Sequence, residues 1–414
     1  MLKHRKFFEN GVVTVKQFST KSSFWIVAWV LAISLWGSAA PSMEFPEYAA
    51  QWHLSKSVTT GIFSIYPILL IMVLFLLGNI SDRIGRKKTL LIGLAFLLIG
   101  GLFFALAPNV YWLFGGRMLQ GVGVGLTLGA GAAALVEFNP YANQKIAGSV
   151  NTISQALGIF IATCGGASLI KYAPFPLHFS YWVFSAFVLL SIVLCLFLPR
   201  AKTGPIAAAG RWKPQGVKVP PGLWGIYSVA ALAIGASFGT VAIFISLGAQ
   251  IARDIIGTQD ILVIGAFLSI SYLIMAASAV VAGKLRPMIS IQIGLCSIVL
   301  TMVLLISAAE LHLFIVFILA SIFCGLSHGF AGTGAIGLAA INTPERYRVQ
   351  FLSAVLVVAY LFQGGSAFGA GVTSTVYGFG FAIALSASII ALIALLALFL
   401  TLKGRRQRDG VPAA

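Results

Sequence analysis

The sequence predicts an all-α membrane protein in which twelve transmembrane helices form two pseudo-symmetric six-helix bundles. Of its 414 residues, 59% are hydrophobic and only 9% charged, with a mean hydropathy of +0.99; a soluble domain carries about 25% charged residues. The apolar residues gather into twelve runs of about 20 or more, each long enough to cross a bilayer. The basic residues fall almost entirely in alternate connections between those runs.

Lipid cannot hydrogen-bond a backbone, so each run must cross as a helix that satisfies its own amides. The first run, 24–43, follows a basic N-terminal segment and ends where Glu44 and Glu47 interrupt it. The second, 58–78, leads into the cations Arg83, Arg86, Lys87 and Lys88, which separate it from the third, 89–106. A fourth, 110–138, is followed by a loop with Lys145, a fifth, 146–170, by Lys171, and a sixth, 181–198, by a polar stretch from Pro199 to Pro221. Beyond that stretch lie 223–251, 261–283, 289–308, 313–341, 351–373 and 376–402. The expected organisation is therefore a cytoplasmic segment 1–23, a bundle 24–198, a basic linker 199–222, a second bundle 223–402 and a tail 403–414.

A formal charge of +17 would suit a nucleic-acid partner if it were spread over a soluble surface. Its placement excludes that class. With the N-terminus inside, 23 of the 27 Lys and Arg fall on the inner side, Lys56, Lys171 and Arg253 fall outside, and Arg117 alone sits within a run. This asymmetry puts both termini in the cytoplasm of a cell with an inner (plasma) membrane. Ser38-Ala39-Ala40 resembles a cleavage site, but removing the first run would leave eleven crossings and unbalance the charges, so an uncleaved helix is expected. All four cysteines lie inside runs without metal-site spacing and read as packing. No catalytic constellation, metal or cofactor is expected, and the reading is of a monomer rather than an enzyme.

The linker divides the runs six and six. A shift of about 204 residues carries Gly121, Gly125, Pro140, Ser149 and Gly165 onto Gly325, Gly329, Pro344, Ser353 and Gly369, which points to a duplicated half. Two six-helix halves of like orientation can enclose a substrate site near the midplane and expose it to each side in turn by rocking.

Between the second and third runs the chain reads Gly78-Asn-Ile-Ser-Asp82-Arg83-Ile-Gly85-Arg86-Lys87-Lys88. Gly78 permits close helix approach, and Asp82 is an anion suited to the positive N-terminus of another helix. This segment resembles the loop signature of the major facilitator superfamily, G-x-L-[AG]-D-[RK]-x-G-R-[RK], departing at Ile80 and Ser81. The resemblance covers essentially the whole chain through helix number, central linker and duplicated halves. It implies secondary transport by alternating access, with Gly78, Asp82, Arg83, Gly85 and Arg86 as a gating motif and Asp82 set against the start of the eleventh helix near Gln350 and Phe351. The equivalent loop, Gly283-Lys284-Leu285-Arg286-Pro287, has no aspartate, so the latch is assigned to the first half.

Arg117 lies about seven residues, or roughly 10 Å, from the outer end of its helix. A mid-membrane arginine costs about 2.5–3.5 kcal/mol on insertion scales, so one that is retained is expected to face a partner or cavity unless it snorkels. Arg117-Met-Leu-Gln120-Gly121 resembles the R-x-x-Q-G signature of the drug/proton antiporter branch, which implies proton coupling or contact with an anionic substrate. Gly121, Gly125 and Gly129, with Gly325 and Gly329, read as close-packing surfaces. His328, Asn151, Gln155 and Gln363 are divided between interhelical hydrogen bonds and contacts to substrate or proton. Trp36, Tyr66, Phe238 and Tyr360 are candidates for an aromatic cavity wall, with packing as the alternative.

Two departures separate the chain from that branch. Gly158 to Gly166 keeps the terminal glycine pair but lacks a Gly-Pro, and no acid falls inside a run: Glu44 and Glu47 sit at the outer end of the first, where a solvated loop is the preferred reading, and Glu137 at the inner end of the fourth. The expected function is proton-coupled export of small, partly hydrophobic compounds. Proton-coupled uptake of a metabolite is the alternative, and a membrane sensor or enzyme the remote one.

Overall fold

The computed structural model describes residues 18–78, 80–141, 144–199, 219–257 and 260–409. Residues 1–17, most of the expected linker (200–218) and the end of the tail (410–414) lie outside these. The described residues are helical throughout, without strands, and twelve helices are long and apolar enough to span a membrane. We number them α1 (Thr20–Gln51), α2 (Lys56–Leu77), α3 (Arg86–Ala105), α4 (Val110–Glu137), α5 (Gln144–Phe160, Ile161–Gly165 and Gly166–Tyr172), α6 (Pro176–Leu196), α7 (Trp224–Ile256), α8 (Ile261–Ala282), α9 (Pro287–Leu311), α10 (Phe314–Asn342), α11 (Glu345–Tyr377) and α12 (Phe379–Asp409).

The helix starts follow local chemistry. Ser19, Ser55, Asn109 and Asp260 accept hydrogen bonds from the backbone amides of Ser22, Val58, Tyr111 and Leu262, which caps α1, α2, α4 and α8. Pro176 and Pro287 sit at the first position of α6 and α9, where a missing amide costs nothing. The middle section of α5, Ile161–Gly165, is a π-helix, a local widening that frees backbone groups inside a span.

Two ends differ from the sequence expectation. Helix α1 runs on to Gln51 through Pro41 and Pro46, so Glu44 and Glu47 belong to a helix and not to a loop. Helix α11 begins at Glu345, more than a turn before the expected Gln350.

Helices α1–α6 pack chiefly on one another, as do α7–α12. The packing itself is duplicated. Gly121 and Gly125 of α4 seat against Tyr66, Leu70 and Val73 of α2; Gly325 and Gly329 of α10 seat against Ser271, Met275 and Ser278 of α8. These are the same positions displaced by about one half-chain. Gly129 has open space where a β-carbon would go, so its expected role in close packing is not realised.

The halves meet along two seams, α2 with α11 and α5 with α8. At the outer end Thr60 meets Gly371 on one seam and Gly265 meets Ala167 on the other; at the inner end Gly78 faces Ser353 and Gly283 faces Ser149. Each contact is the pseudo-symmetric mate of its opposite number, with the roles of the halves exchanged. Midway, Gly364 lies on Pro67, and the hydroxyls of Thr163 and Ser269 hydrogen-bond at 2.8 Å. Both seams are thus closed at the outer end, in the middle and at the inner end.

Candidate functional site

At the inner face, a short helix, Ile80–Ile84, follows α2, and Gly85 turns the chain into α3 with φ +93°, a conformation that favours glycine. Asp82 pairs with Arg86 at 2.5 Å; Arg86 also donates to Ser81 Oγ and reaches Glu137 at the end of α4, 3.9 Å away. Lys87 donates to the carbonyls of Leu196 and Leu198 at 2.6 and 3.0 Å, covering the exposed C-terminal end of α6. The motif therefore ties α2, α3, α4 and α6 together. The partner of Asp82 in this conformation is Arg86 of its own loop, whereas the resemblance implied the start of α11; it is Gly78 that faces α11, at Ser353.

Deeper in the first half, Arg117 has no exposed surface. It does not snorkel. Its Nη1 donates to the Ser38 carbonyl at 2.8 Å and to Gln120 Oε1 at 3.2 Å, the one-turn pairing that the R-x-x-Q spacing allows. The Ser38 carbonyl is within reach because α1 is interrupted nearby by Pro41, which removes one bond from the helix ladder. The rings of Tyr66, Phe63 and Phe45 lie 4.9, 5.6 and 5.8 Å from the guanidinium carbon, within cation–π range. Arg117 Nε and Nη2 and Gln120 Nε2 are buried without a hydrogen-bond partner.

Glu44, 1% exposed, lies further out along α1. Ser180 Oγ of α6 donates to its Oε1, and Tyr181 and Tyr48 lie within electrostatic range. Tyr48 is fixed by donating to the Leu177 carbonyl at 3.0 Å, and Tyr181 stacks on Phe104 with centroids 4.5 Å apart. Tyr181 interacts with both Glu44 and Arg117, so a single aromatic residue links the buried acid to the buried base. Glu47, one turn on, is only partly buried.

A buried base and acid between facing six-helix halves, behind a glycine-flanked cytoplasmic loop, form a transporter arrangement, and comparison with known sequences agrees. The sequence profile of the Major Facilitator Superfamily matches residues 24–364. The chain belongs to the major facilitator superfamily. It is 26% identical over 171 residues to the multidrug resistance protein MdtL of Escherichia coli and to that of Escherichia fergusonii; the matched part is 41% of this chain and 43% of each relative, less than half of either. Two solved POT family transporters, one in complex with 5-aminolevulinic acid and one with a thioalcohol conjugated peptide, superpose with TM-scores of 0.75 and 0.74. Each alignment covers 93% of this chain and 96% of the other at 14% identity, which establishes the shared fold.

In the second half of this facilitator, His328 of α10 hydrogen-bonds Ser237 of α7 at 2.7 Å and packs on Phe238 at 4.9 Å; Phe238 meets Tyr360 of α11 edge-on at 5.2 Å. Tyr360 interacts in turn with Tyr66, so an aromatic path runs from Arg117 across the boundary between the halves. Trp36 is not part of it. Its ring packs on Phe184 and Phe187 of α6 at 5.8 and 5.4 Å, within the first half. Buried amide oxygens of Asn151 and Gln363 are without partners, while Gln155 is partly buried.

The facilitator also has an outer tie that the sequence reading passed over. Lys171, at the outer end of α5, pairs with Asp260, the cap of α8, at 2.5 Å. They are opposite charges at the outer ends of helices now seen to be neighbours; the signal was present, but not the adjacency. The Lys171 ammonium and the Leu262 amide hold the Asp260 carboxyl below its usual range. The tie is therefore present above the ordinary carboxylate range and is lost only as pH falls through that lowered value. Asp260→Asn should loosen the outer seam at neutral pH. The measurement is the rate at which an impermeant thiol reagent added outside labels Thr163→Cys, expected to rise several-fold with Asn at 260; an unchanged rate would show that the pair does not hold this seam.

Proposed function

We propose that this membrane transporter is a secondary active exporter, moving small, partly hydrophobic compounds out of the cell in exchange for protons by alternating access. Its place is the inner membrane, with both termini in the cytoplasm. The observation that carries the coupling is Glu44: a carboxyl enclosed between α1 and α6 and linked through Tyr181 to Arg117. An ionised carboxylate is costly away from water, so its proton content is tied to whether the surrounding bundle is open. The likeness to MdtL, named for multidrug resistance, supports the outward direction. The inner loop serves as the gate in this reading. Asp82, Arg86 and Glu137 hold its shape, and Gly78 lets α2 close on α11.

Reconstituted vesicles decide between exchange and uptake. Vesicles acidic inside and diluted into neutral buffer are expected to accumulate a transported compound as protons leave, read by a trapped pH dye. Accumulation that instead requires acid on the side from which the compound enters would make the protein an importer.

A further inference from the structure

Arg117 is a buried cation whose partners do not match its charge. Its five N–H groups are held in a rigid plane. Nη1 is engaged by two neutral oxygens, the Ser38 carbonyl and Gln120 Oε1. Nε and Nη2 have no partner, and these two point the same way, forming the side-on edge of the guanidinium that takes a carboxylate through two parallel hydrogen bonds. Gln120 extends the edge. Its oxygen faces Arg117, which turns its Nε2 outward as a further buried donor without a partner. Among the described residues Arg117 makes no ion pair; Glu44 is engaged by Ser180. The surroundings of the free edge are therefore donors without acceptors, next to the apolar rings of Phe45, Phe63 and Tyr66.

We infer that the Nε–Nη2 edge of Arg117, with Gln120 Nε2, is the docking point for the carboxylate of a small lipophilic anion, the substrate class of the exporter proposed above. A neutral acceptor would occupy the donors but leave the buried charge uncompensated, and a doubly charged phosphate would exceed the single charge of the site. A singly charged carboxylate on an aromatic or aliphatic body meets both demands, its head on the edge and its body against the rings. The inference rests on the transport reading for the passage that brings the anion to this depth, but not on the coupling ion.

The test is equilibrium binding to the full-length protein in lipid nanodiscs at neutral pH, using three ligands of one shape: naphthoate, naphthamide and naphthylmethylammonium. Naphthoate is expected to bind about tenfold more tightly than the amide, the difference between charge-assisted and neutral hydrogen bonds, with the ammonium weakest. Arg117→Ala should abolish that preference while leaving amide binding within a few-fold. Arg117→Lys, which keeps the charge and most of the volume but not the fork, should retain part of it, and this keeps the test decisive should the alanine variant fold poorly. Equal binding of all three ligands by the wild type, or a preference that survives Arg117→Ala, would overturn the inference. So would naphthoate binding that emerges only in Glu44→Gln, since the edge would then belong to Glu44. Proton flux in vesicles is read separately: exchange of protons for an organic cation with no response to naphthoate would sink this assignment and leave export standing, whereas carboxylate-selective binding without proton movement would do the reverse.

Discussion

Glu44→Gln is expected to abolish proton-driven accumulation while leaving passive exchange of substrate across the membrane intact. Glutamine keeps the length and shape of the side chain and can still accept from Ser180 Oγ, as the carboxylate does, so α1 and α6 should stay packed. What it loses is the ability to gain and release a proton. A proton crossing about 100 mV supplies roughly 2.3 kcal/mol, which corresponds to about a fortyfold gradient at 1.4 kcal/mol per decade. Without that contribution the steady-state gradient should fall to unity, and substrate-induced proton movement should vanish with it.

Glu47→Gln is the matched control. It changes the same charge one turn further along α1, at a partly buried position, and should leave coupling near wild type. Equal loss in both variants would point to general damage at the outer end of α1. Full proton-driven accumulation in Glu44→Gln would remove the residue from the mechanism, and the coupling group would then have to be sought among the remaining buried polar side chains, His328 first.

The sequence was most legible where lipid sets the rules. Twelve spans could be read because a helix facing hydrocarbon must be apolar along its length, and the repeat because glycine leaves a signature wherever backbones touch. Glu44 was harder to read for the same reason. Helix α1 is the most enclosed of the twelve spans, so its outer part answers to protein neighbours and not to lipid. There a carboxyl, two prolines and several hydroxyls are compatible with a continuous helix. Reading apolarity alone ends the span at Met43, one residue too soon to find the acid. Trp36 failed differently: helical spacing gives the face of α1 on which a residue lies, but not whether α6 or the opposite half covers that face. Arg117 succeeded because the cost of burying a guanidinium is so large that its presence within a span already implies a partner. The π-helical section of α5 left no mark that composition could register.

Gly158 marks where the greatest structural effect is expected. A β-carbon there would collide with the Ala32 carbonyl oxygen of α1 and lie 3.0 Å from Leu35 Cβ. The first obstacle is backbone, which cannot rotate aside, so the α1–α5 contact must spread. That contact positions Ser38, and through its carbonyl Arg117, on one side and the π-helical section of α5 on the other. Overpacking of this kind costs typically 1–3 kcal/mol, which at about 2–4 °C per kcal/mol for a unit the size of one bundle is a fall in midpoint of order 5 °C for Gly158→Ala. For Gly158→Leu no monodisperse protein should be recovered in detergent. Gly129→Ala separates this from any general intolerance of side chains at helix glycines. With open space around its β-carbon, it removes a flexible residue from a helix interior and should be neutral or stabilising by about 0.5–1 kcal/mol. If Gly158→Ala proved as stable as Gly129→Ala in a thermal melt of the purified protein, α1 and α5 would not meet backbone to backbone, and the placement of Ser38 beside Arg117 would lose its support.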